Sequence, residues 1–121
     1  MHKSRLVVHE DERGKLFETI KVHGTQFIAF SKPGVVRGNH FHRDKIEYFT
    51  VLQGEAVLYT RDKFNGNTHS YTLRGDTPET ITVYPYWVHA IENVGDTEMI
   101  LFVQGSEVFD PENTDTYPEV V

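Results

Sequence analysis

Seven short runs rich in β-branched and aromatic residues divide this chain, and glycine-bearing turn signals separate them. The runs are residues 15–22, 26–31, 47–52, 55–61, 69–73, 80–84 and 98–103. Such runs are too short for helices and have the composition of strands. Between them fall Arg13-Gly14, His23-Gly24, Pro33-Gly34, Gln53-Gly54, Asn65-Gly66, Arg74-Gly75 and Gly95-Asp96. These are the residues that turns demand, and Asn65-Gly66 is a strong hairpin signal. Strands at this spacing, with no long helical period, imply a β-sandwich or barrel. No repeat, low-complexity run or interdomain linker interrupts them. With 121 residues, the chain reads as one domain over 1–121, and residues 107–121 form a polar, acidic C-terminal tail. The tail is expected to wrap the surface or a second subunit.

One stretch carries chemistry. Gly34 is followed after five residues by His40-Phe41-His42, after four more by Glu47, and after six more by Gly54. On an extended segment His40 and His42 point to one face, because strand side chains alternate. Two imidazoles and a carboxylate are most of a metal site, and His89 can complete it in space. Three nitrogens and one carboxylate leave positions open for water or substrate and suit zinc, iron, manganese or nickel. The bland alternative is a chance pair in a chain with seven histidines. The combined pair, carboxylate and flanking glycines in an all-β chain argue against it. His2, His9, His23 and His69 sit in end or turn contexts and are expected to be solvated. Asn39, Glu92 and Asn93 lie close to the ligands in sequence and are candidates to support them.

Charge narrows the partners. Lys plus Arg number 12 against 18 Asp plus Glu, a formal charge of -6, which is the wrong sign for a phosphate-backbone binder. Nucleic acid is therefore not expected. No run approaches the roughly 20 apolar residues that span a bilayer, and the N-terminal residues carry no long apolar stretch. A cytoplasmic protein without membrane contact is the expectation. With no cysteine, disulfides and thiolate metal sites are excluded.

The glycine-bounded His-x-His and Glu spacing resembles the first motif of the cupin superfamily at every defined position. The second motif is half present. His89 and Asn93 match, but Pro85 lies one residue too close to His89 and no glycine follows it, so a different turn is expected there. The resemblance implies an all-β double-stranded β-helix, the jelly-roll form.

A finer resemblance covers nearly the whole chain. Asp11-Glu-Arg-Gly14, Ser31-Lys-Pro-Gly34, Arg37-Gly-Asn-His40, the run from His89 to Thr97, Asp110-Pro111 and Asp115-Thr-Tyr117 are similar to cupins acting on nucleotide-linked keto sugars. These include the dTDP-4-keto-6-deoxyhexose 3,5-epimerases and 3,4-ketoisomerases. The nearest likeness is to the C-terminal cupin domain of CapF- and WbjC-type capsular polysaccharide proteins. The tail match lies outside the general cupin motif, so it weighs most.

That resemblance implies a zinc-dependent epimerase acting at C3 of a nucleotide-linked 4-keto-6-deoxy sugar in surface polysaccharide biosynthesis. The implied metal ligands are His40, His42, Glu47 and His89. In those proteins an attached short-chain dehydrogenase reduces the ketone with NADPH. This chain has no Gly-x-x-Gly-x-x-Gly turn, so a separate reductase is the expected partner, and edge-strand pairing implies a homodimer. A proton α to a ketone is made acidic by stabilising the enolate oxygen, and a positioned base removes it. In the dTDP-sugar epimerases a histidine matching His40 is that base, without metal. The ketoisomerases carry glutamine near the position of Glu47, so Glu47 favours the metal reading. If His40 ligates metal it cannot be the base, and the candidates are Tyr48, Tyr59, Glu55 and Tyr86. Arg37, Lys45 and Arg61 are candidates for a diphosphate, against the bland reading of solvated surface. Trp87 is a candidate to stack on a sugar or base, against a core role. Two readings from other classes stand beside this one. The first is a carbohydrate or small-molecule binding cupin without turnover. The second is an iron-dependent cupin oxygenase.

Overall fold

The computed structural model describes residues 5, 7–18, 24–107 and 110–121. Among these there are eleven strands and no helix. They are β1 (Val7–Asp11), β2 (Gly14–Glu18), β3 (Thr25–Ser31), β4 (Val36–Phe41), β5 (Glu47–Gln53), β6 (Glu55–Asp62), β7 (Thr68–Arg74), β8 (Thr80–Val83), β9 (Trp87–Asn93), β10 (Met99–Gly105) and β11 (Tyr117–Pro118). One sheet has the order β1-β2-β3-β10-β5-β8, and the other β11-β4-β9-β6-β7. Neighbouring strands run antiparallel throughout. The interleaving of chain-distant strands in both sheets is that of the double-stranded β-helix.

Alternation places the core between the sheets. On β5, Phe49 and Val51 point inward, and on β10 Met99, Leu101 and Val103 do. Leu58 and Ile91 answer them from the opposite sheet. Burying one such side chain stabilises the fold by about 1.5–3 kcal/mol. The inward face of β5 begins with Glu47 and that of β9 includes His89, so the same alternation that builds the core also carries polar groups into it.

The seven runs correspond to β2, β3, β5, β6, β7, β8 and β10, with shifted ends. Residues 19–22 of the first run lie outside the described residues, and Tyr84 falls beyond β8. Four strands were not among the runs. β4 contains Gly38 and Asn39 at positive φ, 101° and 58°, which breaks an ordinary strand pattern. β9 is buried from Val88 to Ile91 on both faces, so it has no alternation to read. β1 is exposed at every residue, and β11 is two residues long. The Asn65-Gly66 signal lies in the β6–β7 hairpin, where Gly66 has φ 76°.

The altered second motif has a distinct turn. Trp87 N donates to Tyr84 O at 3.3 Å, and Pro85 and Tyr86 occupy the central positions. Tyr86 takes the left-handed conformation, φ 66°, that a glycine usually fills. Its backbone is tied on both sides: Tyr86 N donates to His42 O at 2.7 Å, and Tyr86 O accepts from Lys63 N at 3.0 Å.

The C-terminal residues fold back over the same chain. Tyr117 and Pro118 pair with Phe41 and His40 on β4. Glu119 N donates to Asn39 O at 3.0 Å and Val121 N to Asn39 Oδ1 at 3.1 Å. The Glu119 carboxylate accepts from Arg61 at 2.8 Å and from Lys63 at 2.6 Å.

Candidate metal centre

Two sheets supply the site. His40 on β4 lies opposite His89 on β9, just past a register shift between Gly38 and His40. The shift depends on Gly38. A Cβ there would lie 2.9 Å from His89 O and 3.1 Å from Ala90 Cα, on a backbone at φ 101° that favours glycine. His42 follows the last residue of β4. Glu47 opens β5 in the opposite sheet. One ligand atom from each of His40, His42, Glu47 and His89 lies within 4.8 Å of the others. The expected grouping of these four is what the structure brings together.

Their protonation follows from their neighbours. His42 Nδ1 donates to Asp115 O at 2.8 Å, and His89 Nδ1 donates to Trp87 O at 3.0 Å. A bonded Nδ1–H leaves Nε2 of each neutral ring as the lone-pair nitrogen. Both Nε2 atoms face the same carboxylate oxygen: Glu47 Oε1 is 2.6 Å from His42 Nε2 and 3.3 Å from His89 Nε2. A lone pair against a carboxylate oxygen needs a proton or a cation between them. Among the described residues His89 Nε2 is the buried side-chain polar atom without a hydrogen-bond partner. Burial, with His89 and His42 beside it, pushes the His40 pKa down to about 4, so this ring is neutral at pH 7. Burial would raise the Glu47 carboxyl, but the His42 and His89 imidazoles set against it outweigh burial and hold the group well below the usual carboxylate range. Three imidazoles and one carboxylate, with an unsatisfied buried nitrogen, fit a divalent cation.

These groups line one wall of a cavity of about 310 Å³. Leu16, Phe27, Phe49, Ile91, Leu101 and Val103 form an apolar wall, and Arg13, Thr25, Arg37, Lys45 and Thr116 add polar groups. Arg37 is fixed by donating from Nε to Ser31 Oγ at 2.6 Å. Arg13 is held by Asp11, which accepts from its Nε at 3.0 Å and from its terminal nitrogen at 2.6 Å.

The other expected site residues divide. Arg37 and Lys45 line the cavity. Arg61 does not, because Glu119 and Val120 O engage its guanidinium. Trp87 packs against the core and lines a separate hollow with Tyr71 and Tyr84. None of the four candidate bases lines the cavity. Tyr48 alternates with Glu47 and Phe49 and so points to the other face of β5. Tyr59 likewise faces away from Leu58 and donates its hydroxyl to Glu92 at 2.9 Å. Glu55 meets Arg74 at the far end of β6, five residues or about 17 Å along the strand from Thr60, the partner of His89. Tyr86 lies between Phe41 and Phe64, with ring centroids 6.1 and 5.0 Å away.

The supporting groups also differ from the candidates. Asn93 ties the β9–β10 connection through Ser31 O and Thr97 O, Glu92 accepts from Tyr59, and Asn39 holds the C-terminal residues. Backbone carbonyls of Asp115 and Trp87 take the imidazole protons instead. A carbonyl has no sequence signature, so only the Asp115-Thr-Tyr117 match pointed there. Arg13, Thr25 and Thr116 were missed as cavity residues. His9 and His69 are exposed as expected but lie on β1 and β7 rather than in turns, and His9 contacts Glu18 at 2.7 Å. His2 and His23 are outside the described residues.

A double-stranded β-helix whose wall gathers three imidazoles and a carboxylate defines a cupin. The chain belongs to the polysaccharide biosynthesis C-terminal domain family, which it matches over residues 9–117. It is 38% identical over 112 residues to UDP-2-acetamido-2,6-beta-L-arabino-hexul-4-ose reductase of Pseudomonas aeruginosa, covering 91% of this chain and 30% of that protein. Capsular polysaccharide assembling protein CapF from Staphylococcus aureus superposes with a TM-score of 0.93 at 36% identity, over 98% of this chain and 35% of CapF. A further CapF structure holds the inhibitor 3-isopropenyl-tropolone. NovW, a 4-keto-6-deoxy sugar epimerase from Streptomyces spheroides, shares the fold at 19% identity with a TM-score of 0.66, over 88% of this chain and 63% of NovW. The chain thus spans about a third of the length of the first two relatives.

Proposed function

We propose that this chain is a metal-dependent epimerase for a nucleotide-linked 4-keto-6-deoxy sugar in surface polysaccharide biosynthesis, inverting C3 by proton removal and return α to the ketone. The observation that carries the reading is the quartet of His40, His42, Glu47 and His89 beside a cavity, three of them buried and His40 partly so, with His89 Nε2 unsatisfied. These four residues would hold a divalent metal, with zinc first in preference and iron, manganese or nickel as alternatives. When bound, the ion supplies Lewis acidity toward a carbonyl oxygen.

The chain's own residues supply orientation and proton movement. The apolar wall excludes water from the sugar ring and leaves the polar groups to fix its orientation. Arg37 and Lys45, joined by Arg13, offer cationic contacts to a diphosphate. The tyrosines and Glu55 lie outside the cavity, so the group that moves the C3 proton is to be sought among the cavity's own polar residues. The described residues form no βα unit, so hydride transfer to the product would fall to a separate reductase or to another part of a longer protein. Pairing of two copies through the exposed edge of β1, and action in the cytoplasm, complete the reading.

The test is proton NMR of a UDP-4-keto-6-deoxy-N-acetylhexosamine with the protein in D₂O. Loss of the C3 signal that a chelator abolishes supports the proposal. An unchanged C3 signal with metal bound removes this activity on that substrate and favours a binding cupin.

A further inference from the structure

We infer that Asp115 is a positioning residue of the metal centre: it holds the His42–Glu47 connection from a distant part of the chain. The inference rests on the metal reading above. Asp115 is 7% exposed and takes the left-handed conformation, φ 52°. This one residue accepts four hydrogen bonds from consecutive residues. Its backbone oxygen takes His42 Nδ1–H at 2.8 Å. Oδ1 takes Arg43 N at 2.9 Å, and Oδ2 takes Asp44 N and Lys45 N, each at 3.0 Å. Three successive N–H groups converging on one carboxylate form an anion-binding nest, here filled by the chain itself. The segment so gripped is the one joining two of the four ligands.

The grip has two chemical effects. The carbonyl sets the His42 tautomer and keeps its Nε2 lone pair aimed at Glu47 Oε1. The carboxylate fixes the backbone from Arg43 to Lys45, and with it the separation of His42 from Glu47 and the place of Lys45 on the cavity rim. The left-handed backbone lets main-chain and side-chain oxygens of Asp115 face the same segment, and Asn or Gly tolerates that conformation better than other residues. Thr116, the next residue, lines the cavity. β11 then clamps this arrangement to β4 directly beside His40.

The test compares zinc affinity by chelator competition, and the visible spectrum of the cobalt-loaded protein, for the wild type, Asp115→Ala and Asp115→Asn. Circular dichroism and thermal unfolding of the metal-free proteins report the fold. Asp115→Ala is expected to weaken zinc binding by about 10- to 100-fold and to change the cobalt bands. Asp115→Asn keeps the backbone conformation and one acceptor, so it is expected to recover part of the affinity. A folded Ala variant with zinc affinity within about twofold of wild type and an unchanged cobalt spectrum overturns the inference. If the Ala variant does not fold, an Asn variant indistinguishable from wild type in both measurements overturns it, and weakened binding with altered bands supports it. Wild type that takes up neither metal overturns the metal reading and this inference with it.

Discussion

His40 and His89 stand directly opposite each other on adjacent strands, their ring centroids 4.8 Å apart and their planes at 86°. Edge-on packing lets both rings aim nitrogen toward one point without stacking. The arrangement exists because the β4 backbone bends at Gly38 and Asn39 immediately before His40. The bulge is therefore a means of aiming a side chain, and its disturbance should be felt in metal binding as well as in stability.

Replacing Gly38 by alanine tests that link. The new Cβ would meet His89 O and Ala90 Cα on a backbone that disfavours it. Destabilisation of the metal-free protein by about 1–3 kcal/mol is expected, with weaker zinc binding from displacement of His89. Denaturant unfolding and zinc titration measure the two effects separately.

His42→Ala should abolish zinc uptake while the β-fold persists by circular dichroism. The variant also leaves the buried Glu47 carboxylate without its 2.6 Å partner. Leaving one partner of a buried hydrogen bond unsatisfied typically costs about 1–3 kcal/mol, so a lower unfolding midpoint is expected as well. Full-strength metal uptake by this variant would remove His42 from the ligand set.

The metal-free protein should lose stability on acidification in two stages. His40 has its pKa depressed from 6.5 to about 4, chiefly by burial. Between those values the unfolded chain binds a proton that the folded one refuses, so stability falls as pH drops from about 6.5 to about 4. Asp115 follows. Burial would raise its carboxyl, but the three backbone hydrogen bonds lower it below its ordinary 3.8. Its contribution is present above the unfolded value and is lost as pH falls through the folded one. Denaturant unfolding across pH 3–8 reads both stages, and His40→Gln should flatten the first while leaving the second.

Arg37 and Arg61 should behave differently under truncation. Arg37→Ala removes a cavity cation and is expected to raise KM for a nucleotide sugar about tenfold or more, in line with a lost charge-assisted contact. Arg61→Ala breaks a partly exposed pair with Glu119 and is expected to leave KM unchanged while lowering stability by about 1 kcal/mol or less. Steady-state kinetics and thermal unfolding of the two variants distinguish these roles.

The β class and the quartet were legible because alternation, turn residues and ligand spacing all leave marks in a one-dimensional string. β9 left no such mark because both its faces are buried, and β4 left none because Gly38 and Asn39 make its backbone irregular. The tyrosines lie outside the cavity for a related reason. Their residue type suits acid–base work, yet the parity that turns Glu47 inward turns Tyr48 outward, and Tyr59 follows the same rule beside Leu58. Arg61 looked like a phosphate ligand until the tail supplied Glu119 as its partner, 58 residues along the chain. Contacts of that range, and main-chain acceptors such as Asp115 O, become visible only after folding.

Glu47 belongs to one sheet, and His40 and His89 belong to the other. An ion gripped by all three is thus a rivet through the sandwich. At a free concentration a hundred times its dissociation constant, it would add about 2.7 kcal/mol against unfolding. Loaded molecules would outlast empty ones under proteolysis and heat. The lifetime of the protein in a cell would then track the local supply of metal, and a shortage would thin the population as well as idle its chemistry.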